Sequence, residues 1–134
     1  MSAAKLYRGS CLCGEVVFEA GGFDSKCAHC HCRMCRKFHG AAFSTMAAAS
    51  DVNWLRGAAL LQDYTASNGT VRTFCKACGS SVAFRSRGAD ALELSLSLFD
   101  EDPPVRGDAH IFTDFKAGWC EILDELPQHA RRRE

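Results

Sequence analysis

Apolar and polar residues alternate strictly from Leu92 to Leu98, with Glu93, Ser95 and Ser97 between Leu92, Leu94, Leu96 and Leu98; this period of two predicts a strand with one buried face. Val16-Val17-Phe18 and the stretch 41–46 also read as strands. Leu60 to Tyr64 and Val71 to Phe74 flank Asn68-Gly69, a dipeptide that favours a type I′ hairpin turn. Helix is expected only as short pieces, at 33–39, 51–56 and 121–126, and Pro103-Pro104 marks a turn. No internal repeat or low-complexity linker interrupts this pattern. The reading is a mainly β domain with short helical turns.

A chain of 134 residues fits one domain spanning 1–134, since domains usually hold about 100–150 residues. At 47% apolar and 24% charged, it is too hydrophobic for a disordered chain. No run approaches the roughly 20 apolar residues of a membrane span, so no membrane partner is expected. Met1-Ser2-Ala3-Ala4-Lys5 lacks the apolar core of a secretory signal, and a cytoplasmic location follows as the expectation. That same reading dismisses Asn68-Gly69-Thr70 as a glycosylation acceptor.

The formal net charge is zero, but residues 1–89 carry +6 and residues 90–134 carry -6. A nucleic-acid partner is not expected from a neutral chain, and Arg131-Arg132-Arg133 reads as a solvated end.

Cysteine changes the picture most. Nine stand at 11, 13, 27, 30, 32, 35, 75, 78 and 120. An odd count without a secretory signal argues against a disulfide framework and for metal thiolates. Cys11-Leu12-Cys13-Gly14 and Cys75-Lys76-Ala77-Cys78-Gly79 each end in a glycine, which tolerates the positive φ of a tight turn and lets backbone N–H groups face sulfur. They read as two knuckles supplying the four thiolates of a closed structural zinc, clamping distant segments together. Cys30-x-Cys32-x-x-Cys35 differs, because one short segment brings three thiolates together and leaves a fourth corner open. An open corner is the mark of a reactive zinc. Closure by Cys27, His29 or His39 is the competing arrangement. Three thiolates acidify a bound water weakly, so the open position should prefer a soft thiolate or a polarisable carbonyl to hydroxide chemistry.

Three phrases, Gly9-Ser10-Cys11-Leu12-Cys13-Gly14, then Cys30-His31-Cys32-Arg33-Met34-Cys35-Arg36-Lys37, then Phe74-Cys75-Lys76-Ala77-Cys78-Gly79-Ser80, resemble the ordered motifs of the glutathione-dependent formaldehyde-activating (GFA) family. The resemblance runs from about residue 9 to 126 and includes His110 and Trp119-Cys120-Glu121-Ile122. It implies an Mss4-like fold of several coiled antiparallel β-sheets held by two zinc ions, the second of them open to partial occupancy. Cys11, Cys13, Cys75 and Cys78 would hold the structural zinc, and Cys30, Cys32 and Cys35 the catalytic one. The implied activity is that of a carbon–sulfur lyase joining glutathione and formaldehyde as S-hydroxymethylglutathione. Centromere-associated relatives within the family are the one pointer toward chromatin.

The expected chemistry is addition of a small-molecule thiol to a small aldehyde, with zinc holding the thiol as thiolate or polarising the aldehyde oxygen. Arg36 and Lys37 are candidate contacts for glutathione carboxylates, or cations that balance the thiolate charge. His39 is a candidate proton carrier, or a surface or core histidine. Phe38, Phe43, Trp54 and Trp119 are candidate pocket walls, or core. Cys120 reads as a small buried hydrophobe. The alternative from another class is a zinc-stabilised binding module without turnover. A homo-oligomer is left open.

Overall fold

The computed structural model describes residues 5–133. The opening residues 1–4, part of the reading for a secretory signal, lie outside that range. The elements are β1 (Tyr7–Ser10), β2 (Val17–Phe23), β3 (Ala28–Cys30), α1 (Arg33–His39), β4 (Ser44–Arg56), β5 (Leu61–Thr65), β6 (Val71–Cys75), β7 (Ser81–Arg85), β8 (Leu92–Ser95) and β9 (Ala109–Ile111). Short 3-10 turns sit at Ala58–Leu60, Leu96–Leu98 and Thr113–Phe115. The main path of the sheet runs β1-β2-β4-β8-β7-β6-β5, antiparallel at every step, while β3 pairs with β4 and, in parallel, with β9. A mainly antiparallel β fold with one α-helix is therefore the observed architecture. Among the described residues no helix is long and apolar enough to cross a membrane.

The core gathers residues of β2, β4, β7 and β8. Phe18, Ala20, Ala49, Val82, Ala83, Leu94 and Phe99 form it, with Phe18 edge-on to Phe99 at 5.3 Å and to Trp54 at 5.6 Å. Edge-to-face contacts place each ring's positive rim on its neighbour's negative face. A second cluster joins Cys11, Val16 and Cys75 to Leu60, Leu61 and Trp54, so the knuckle cysteines are part of the packing.

Helix α1 occupies 33–39 as the sequence predicts. Cys32 caps it by accepting the Cys35 N–H on sulfur, and Gly40 ends it in the left-handed region at φ 61°. Two other expected helices are absent. The stretch 51–56 is the second half of the 13-residue strand β4. Val52 and Trp54 pack against the core while Asp51 and Asn53 point outward, a period of two that pairs with β2 from Ala20↔Val52 to Val17↔Arg56. The stretch 121–126 is also not helical. Asp124 accepts from the Leu126 N–H (3.0 Å) in a local turn, and Pro127 disfavours helical backbone just before it.

Smaller shifts follow local chemistry. The strand expected over 41–46 begins at Ser44, because the helix cap continues through Ala41, whose N–H bonds Arg36. The alternation of Leu92 to Leu98 leaves the sheet after Ser95 and tightens into a 3-10 turn. The β5–β6 hairpin forms, but its turn is set one residue earlier than a type I′ turn at Asn68-Gly69. The Gly69 N–H bonds Ala66 (2.9 Å), so Ser67 and Asn68 are the central residues and Gly69 follows at φ 86°.

Candidate metal centres and the adjoining cleft

The four knuckle sulfurs of Cys11, Cys13, Cys75 and Cys78 all lie within 4.8 Å of one another. Cys11 and Cys13 Sγ are 3.5 Å apart, and Cys13 and Cys75 Sγ are 4.0 Å apart. Four thiolates on a tetrahedral ion with Zn–S of about 2.3 Å stand about 3.8 Å from one another, so the spacing fits such an ion. The knuckles are built alike. In the first, the Gly14 N–H bonds the Cys11 carbonyl (3.0 Å); in the second, the Gly79 N–H bonds the Cys75 carbonyl (2.6 Å). Both glycines have positive φ, 79° and 82°, which a side chain would strain. The Val16 N–H donates to Cys11 Sγ (3.3 Å), and Ser80 bonds both the Leu12 N–H and Cys78 Sγ, tying one knuckle to the other. The Ser80 hydroxyl, with backbone N–H groups, holds the Cys78 thiol down at about 5, ready to serve as a thiolate ligand.

Cys30, Cys32 and Cys35 also lie with their sulfurs within 4.8 Å of one another, and among the described residues no fourth Cys, His, Asp or Glu joins them. Cys30 ends β3, Cys32 caps α1 and Cys35 sits in its first turn. The caged geometry favours charge on Cys32. Hydrogen bonds from the Cys30 and Cys35 thiols, the Cys35 N–H (3.3 Å) and the Arg72 charge bring it down to about 2, while the Cys30 thiol sharing the first of these is pushed up. Arg72, itself buried, points Nη1 at Cys35 Sγ at 3.7 Å and lies over the Phe84 ring at 4.8 Å. A buried guanidinium is costly unless anions face it, and a thiolate cluster supplies them.

None of the three residues weighed as a fourth ligand joins the trio. Cys27 is buried and donates to the Met46 carbonyl (3.3 Å). His29 shares a 2.6 Å hydrogen bond with Thr45 and packs edge-on to Phe43 at 4.9 Å. His39 is held beside Arg72, its Nε2 buried without a partner.

The trio opens on a cleft of about 810 Å³, within the usual range for small-molecule sites of about 300–1,000 Å³. Cys30, Cys32, Arg33, Met34 and Cys35 line it together with Ser44, Met46, Arg72, Phe84 and Glu93. Asn68, Thr70, Ser86, Arg87, Phe112, Phe115 and Arg132 are also on its wall. Arg36 and Lys37 are not. They border a separate depression of about 240 Å³ with Trp119, and Arg36 donates to the Phe115 carbonyl (3.0 Å). Phe38, Phe43 and Trp54 also lie off the cleft wall, and Trp119 is 71% exposed, so the aromatic walls are Phe84, Phe112 and Phe115. Cys120 is half-buried rather than enclosed, because its strandless segment runs along the surface.

Sequence reasoning missed Arg72, Glu93, Arg87 and Arg132. It also missed a relay behind the trio: His31, wholly buried between Cys30 and Cys32, bonds through Nε2 to His110 Nδ1 (2.8 Å), and His110 Nε2 bonds Asp124 (2.9 Å). The Asp124 carboxylate accepts the His110 Nε2 proton, leaving Nδ1 to accept from His31. The chain ties the metal loop to the C-terminal segment. Its one sequence signal was His110 within the GFA resemblance.

His39 supports a pH prediction. Burial, then the Arg72 charge, hold its pKa down at about 4, whereas an unfolded histidine takes up a proton near 6.5. The unfolded chain therefore binds the extra proton first, and the contribution present above pH 6.5 declines as pH falls toward 4. His39→Gln is expected to show a shallower loss of melting temperature between pH 7 and pH 5 than the wild type. An equal decline in both proteins would remove His39 from the acid response.

The sequence profile of the glutathione-dependent formaldehyde-activating enzyme family matches residues 6–115, and the chain belongs to that family. It is similar to an uncharacterized lyase of Schizosaccharomyces pombe, 26% identical over 111 residues, covering 82% of this chain and 80% of the relative. A crystal structure of a Rhodobacter sphaeroides protein shares the fold, with a TM-score of 0.60 and 24% identity over 90% of this chain and 98% of that one.

Proposed function

We propose that the protein is a zinc-dependent carbon–sulfur lyase of GFA type, adding a glutathione-like thiol to a small, formaldehyde-like aldehyde at Cys30, Cys32 and Cys35, with a second, structural zinc on Cys11, Cys13, Cys75 and Cys78. One observation carries the reading: the four-sulfur group is complete, while the three-sulfur group lacks a fourth protein donor and faces the cleft. When bound at the trio, zinc supplies a Lewis acid with a vacant corner for a thiolate or a carbonyl oxygen. The protein supplies the rest. Arg72 offsets the charge of the thiolates and holds Cys35 in place. The Cys35 N–H fixes Cys32, and the relay through His31 and His110 anchors the loop between them. Apolar walls from Met46, Phe84 and Phe112 displace water from a reactive aldehyde. In the addition, a sulfur–carbon bond forms and the thiol proton ends on the former aldehyde oxygen; the lyase direction reverses both changes.

The test is NMR exchange spectroscopy of glutathione and formaldehyde with their adduct. The wild type is expected to exchange them faster than buffer and Cys32→Ser at the buffer rate. A wild-type rate equal to buffer would leave the zinc-stabilised binding module as the better description.

A further inference from the structure

The depression beside α1 concentrates positive charge that the trio does not use. Arg33, Arg36 and Lys37 follow the three- and four-residue spacing that puts side chains on one helix face, and all three line it with Gly40, Ala41 and Trp119. The helix contains no acidic residue, and none of the three cations makes an ion pair among the described residues. Like charges at this spacing destabilise a helix. Arg33 also stands at the first helical position, where the helix dipole favours an acid. The cluster therefore works against local helix stability, and a bound anion would relieve it.

The aromatic wall is presented as deliberately as the charge. Trp119 is 71% exposed, yet the turn that carries it is pinned. The Cys120 N–H bonds the Ala117 carbonyl (3.3 Å), which makes Gly118 and Trp119 the central residues of the turn. The Lys116 ammonium donates to the carbonyls of Ala117 (3.0 Å) and Cys120 (2.7 Å), and Arg36 ties the helix to the same segment through the Phe115 carbonyl (3.0 Å). That contact uses one of the several guanidinium donors of Arg36 and leaves others free. An indole face held in water beside three unpaired cations suits a ligand that is both flat and anionic.

We propose that this depression is a binding site for a nucleoside phosphate, with the base stacked on Trp119 and the phosphate oxygens on Arg33, Arg36 and Lys37. No carboxylate lines the depression, so the phosphate charge is met by side-chain cations rather than through a divalent ion. The volume of about 240 Å³ takes a phosphate and one face of a base, not a long chain. A single strand of nucleic acid needs a continuous basic track, whereas Glu121, Asp124 and Glu125, all exposed, follow Trp119 closely in the chain. The site is separate from the thiol–aldehyde reading: among its residues only Arg33 also lines the cleft.

The experiment titrates the zinc-loaded protein, without added magnesium, with ADP, adenosine and inorganic pyrophosphate, followed by calorimetry and intrinsic fluorescence. The chain has two tryptophans, and Trp54 is packed edge-on against Phe18 in the core, so quenching by a stacked base reports on Trp119. ADP is expected to bind and quench. Trp119→Ala is expected to weaken ADP about tenfold, as loss of one base-stacking contact does, and to leave pyrophosphate unchanged. Lys37→Gln, at an exposed side chain, is expected to weaken ADP and pyrophosphate by the same factor and to leave adenosine unchanged. Cys32→Ser is expected to bind ADP as the wild type does. Absence of ADP binding, equal loss of ADP and pyrophosphate in Trp119→Ala, or loss of ADP binding in Cys32→Ser, which would mean coordination of phosphate at the trio, would each overturn the proposal. Tighter binding of a ten-residue thymidine oligonucleotide than of ADP would overturn it in favour of a single-stranded nucleic acid.

Discussion

Cys78→Ser is expected to yield insoluble or partly unfolded protein, whereas Cys32→Ser folds and loses one metal ion. Cys78 is only half-buried, so exchanging sulfur for oxygen removes little packing. What it removes is one of the four sulfurs that, holding an ion, would join Cys11 and Cys13, just beyond edge strand β1, to Cys75 and Cys78, which link β6 to β7 towards the far end of the strand order. Such a clamp would draw distant strands together over Val16, Leu60 and Leu61. Structural zinc contributes about 10–16 kcal/mol in small zinc peptides, comparable to the whole stability of a domain at about 5–15 kcal/mol. The trio, by contrast, is carried by one local segment: in Cys32→Ser the serine hydroxyl can accept the Cys35 N–H in place of sulfur, and the relay through His31 and His110 is left intact. Circular dichroism and metal analysis check the contrast. Equal damage from both substitutions would erase the division of labour between the two centres.

The second large effect is kinetic. Mild chelation is expected to empty the trio first, after which a short iodoacetamide pulse labels Cys30, Cys32 and Cys35 roughly tenfold or more ahead of Cys11, Cys13, Cys75 and Cys78. A filled sphere of four thiolates must break a metal–sulfur bond before it reacts, while a three-thiolate site exchanges at its open corner. Glutathione, by filling that corner, is expected to slow labelling of the trio alone. Cys27 should remain unlabelled throughout, since it is buried and burial, first among its causes, pushes its thiol up to about 11. Residue-resolved mass spectrometry reads all of this in one experiment. Labelling of Cys75 and Cys78 before Cys30 and Cys32 would reverse the assignment of the open site.

Much of the molecule was legible in local chemistry. The extent of α1 follows from a capping Cys32 and a terminating Gly40, and the β5–β6 hairpin follows from a glycine between two runs of strand-forming residues. These are interactions between near neighbours, which a linear sequence displays. The helix expected at 51–56 failed because its period of two was short and carried Trp54 and Leu55 side by side; only pairing with β2 settles which face is buried. The segment 121–126 failed for a related reason, since Asp124 is drawn toward His110, 14 residues away.

The cleft divides the same way. Spacing alone grouped Cys11 with Cys13, Cys75 with Cys78, and Cys30 with Cys32 and Cys35, because ligands one turn or one knuckle apart are brought together by local backbone geometry. Arg72 and Glu93 gave no such signal. Each sits in a strand whose alternation marks it as outward-facing, and the sequence cannot say that outward here means toward a cavity floored by β6, β7 and β8. Arg132 looked like one of three equivalent solvated charges until Asp114 and Asp108 engaged its neighbours. By itself, then, the sequence determined the grouping of the cysteines, the short helix and the β character of the chain. Which side chains surround the three-cysteine group was decided by the register of strands far apart in the chain, because burial and charge balance at a cleft depend on contacts that no local pattern contains.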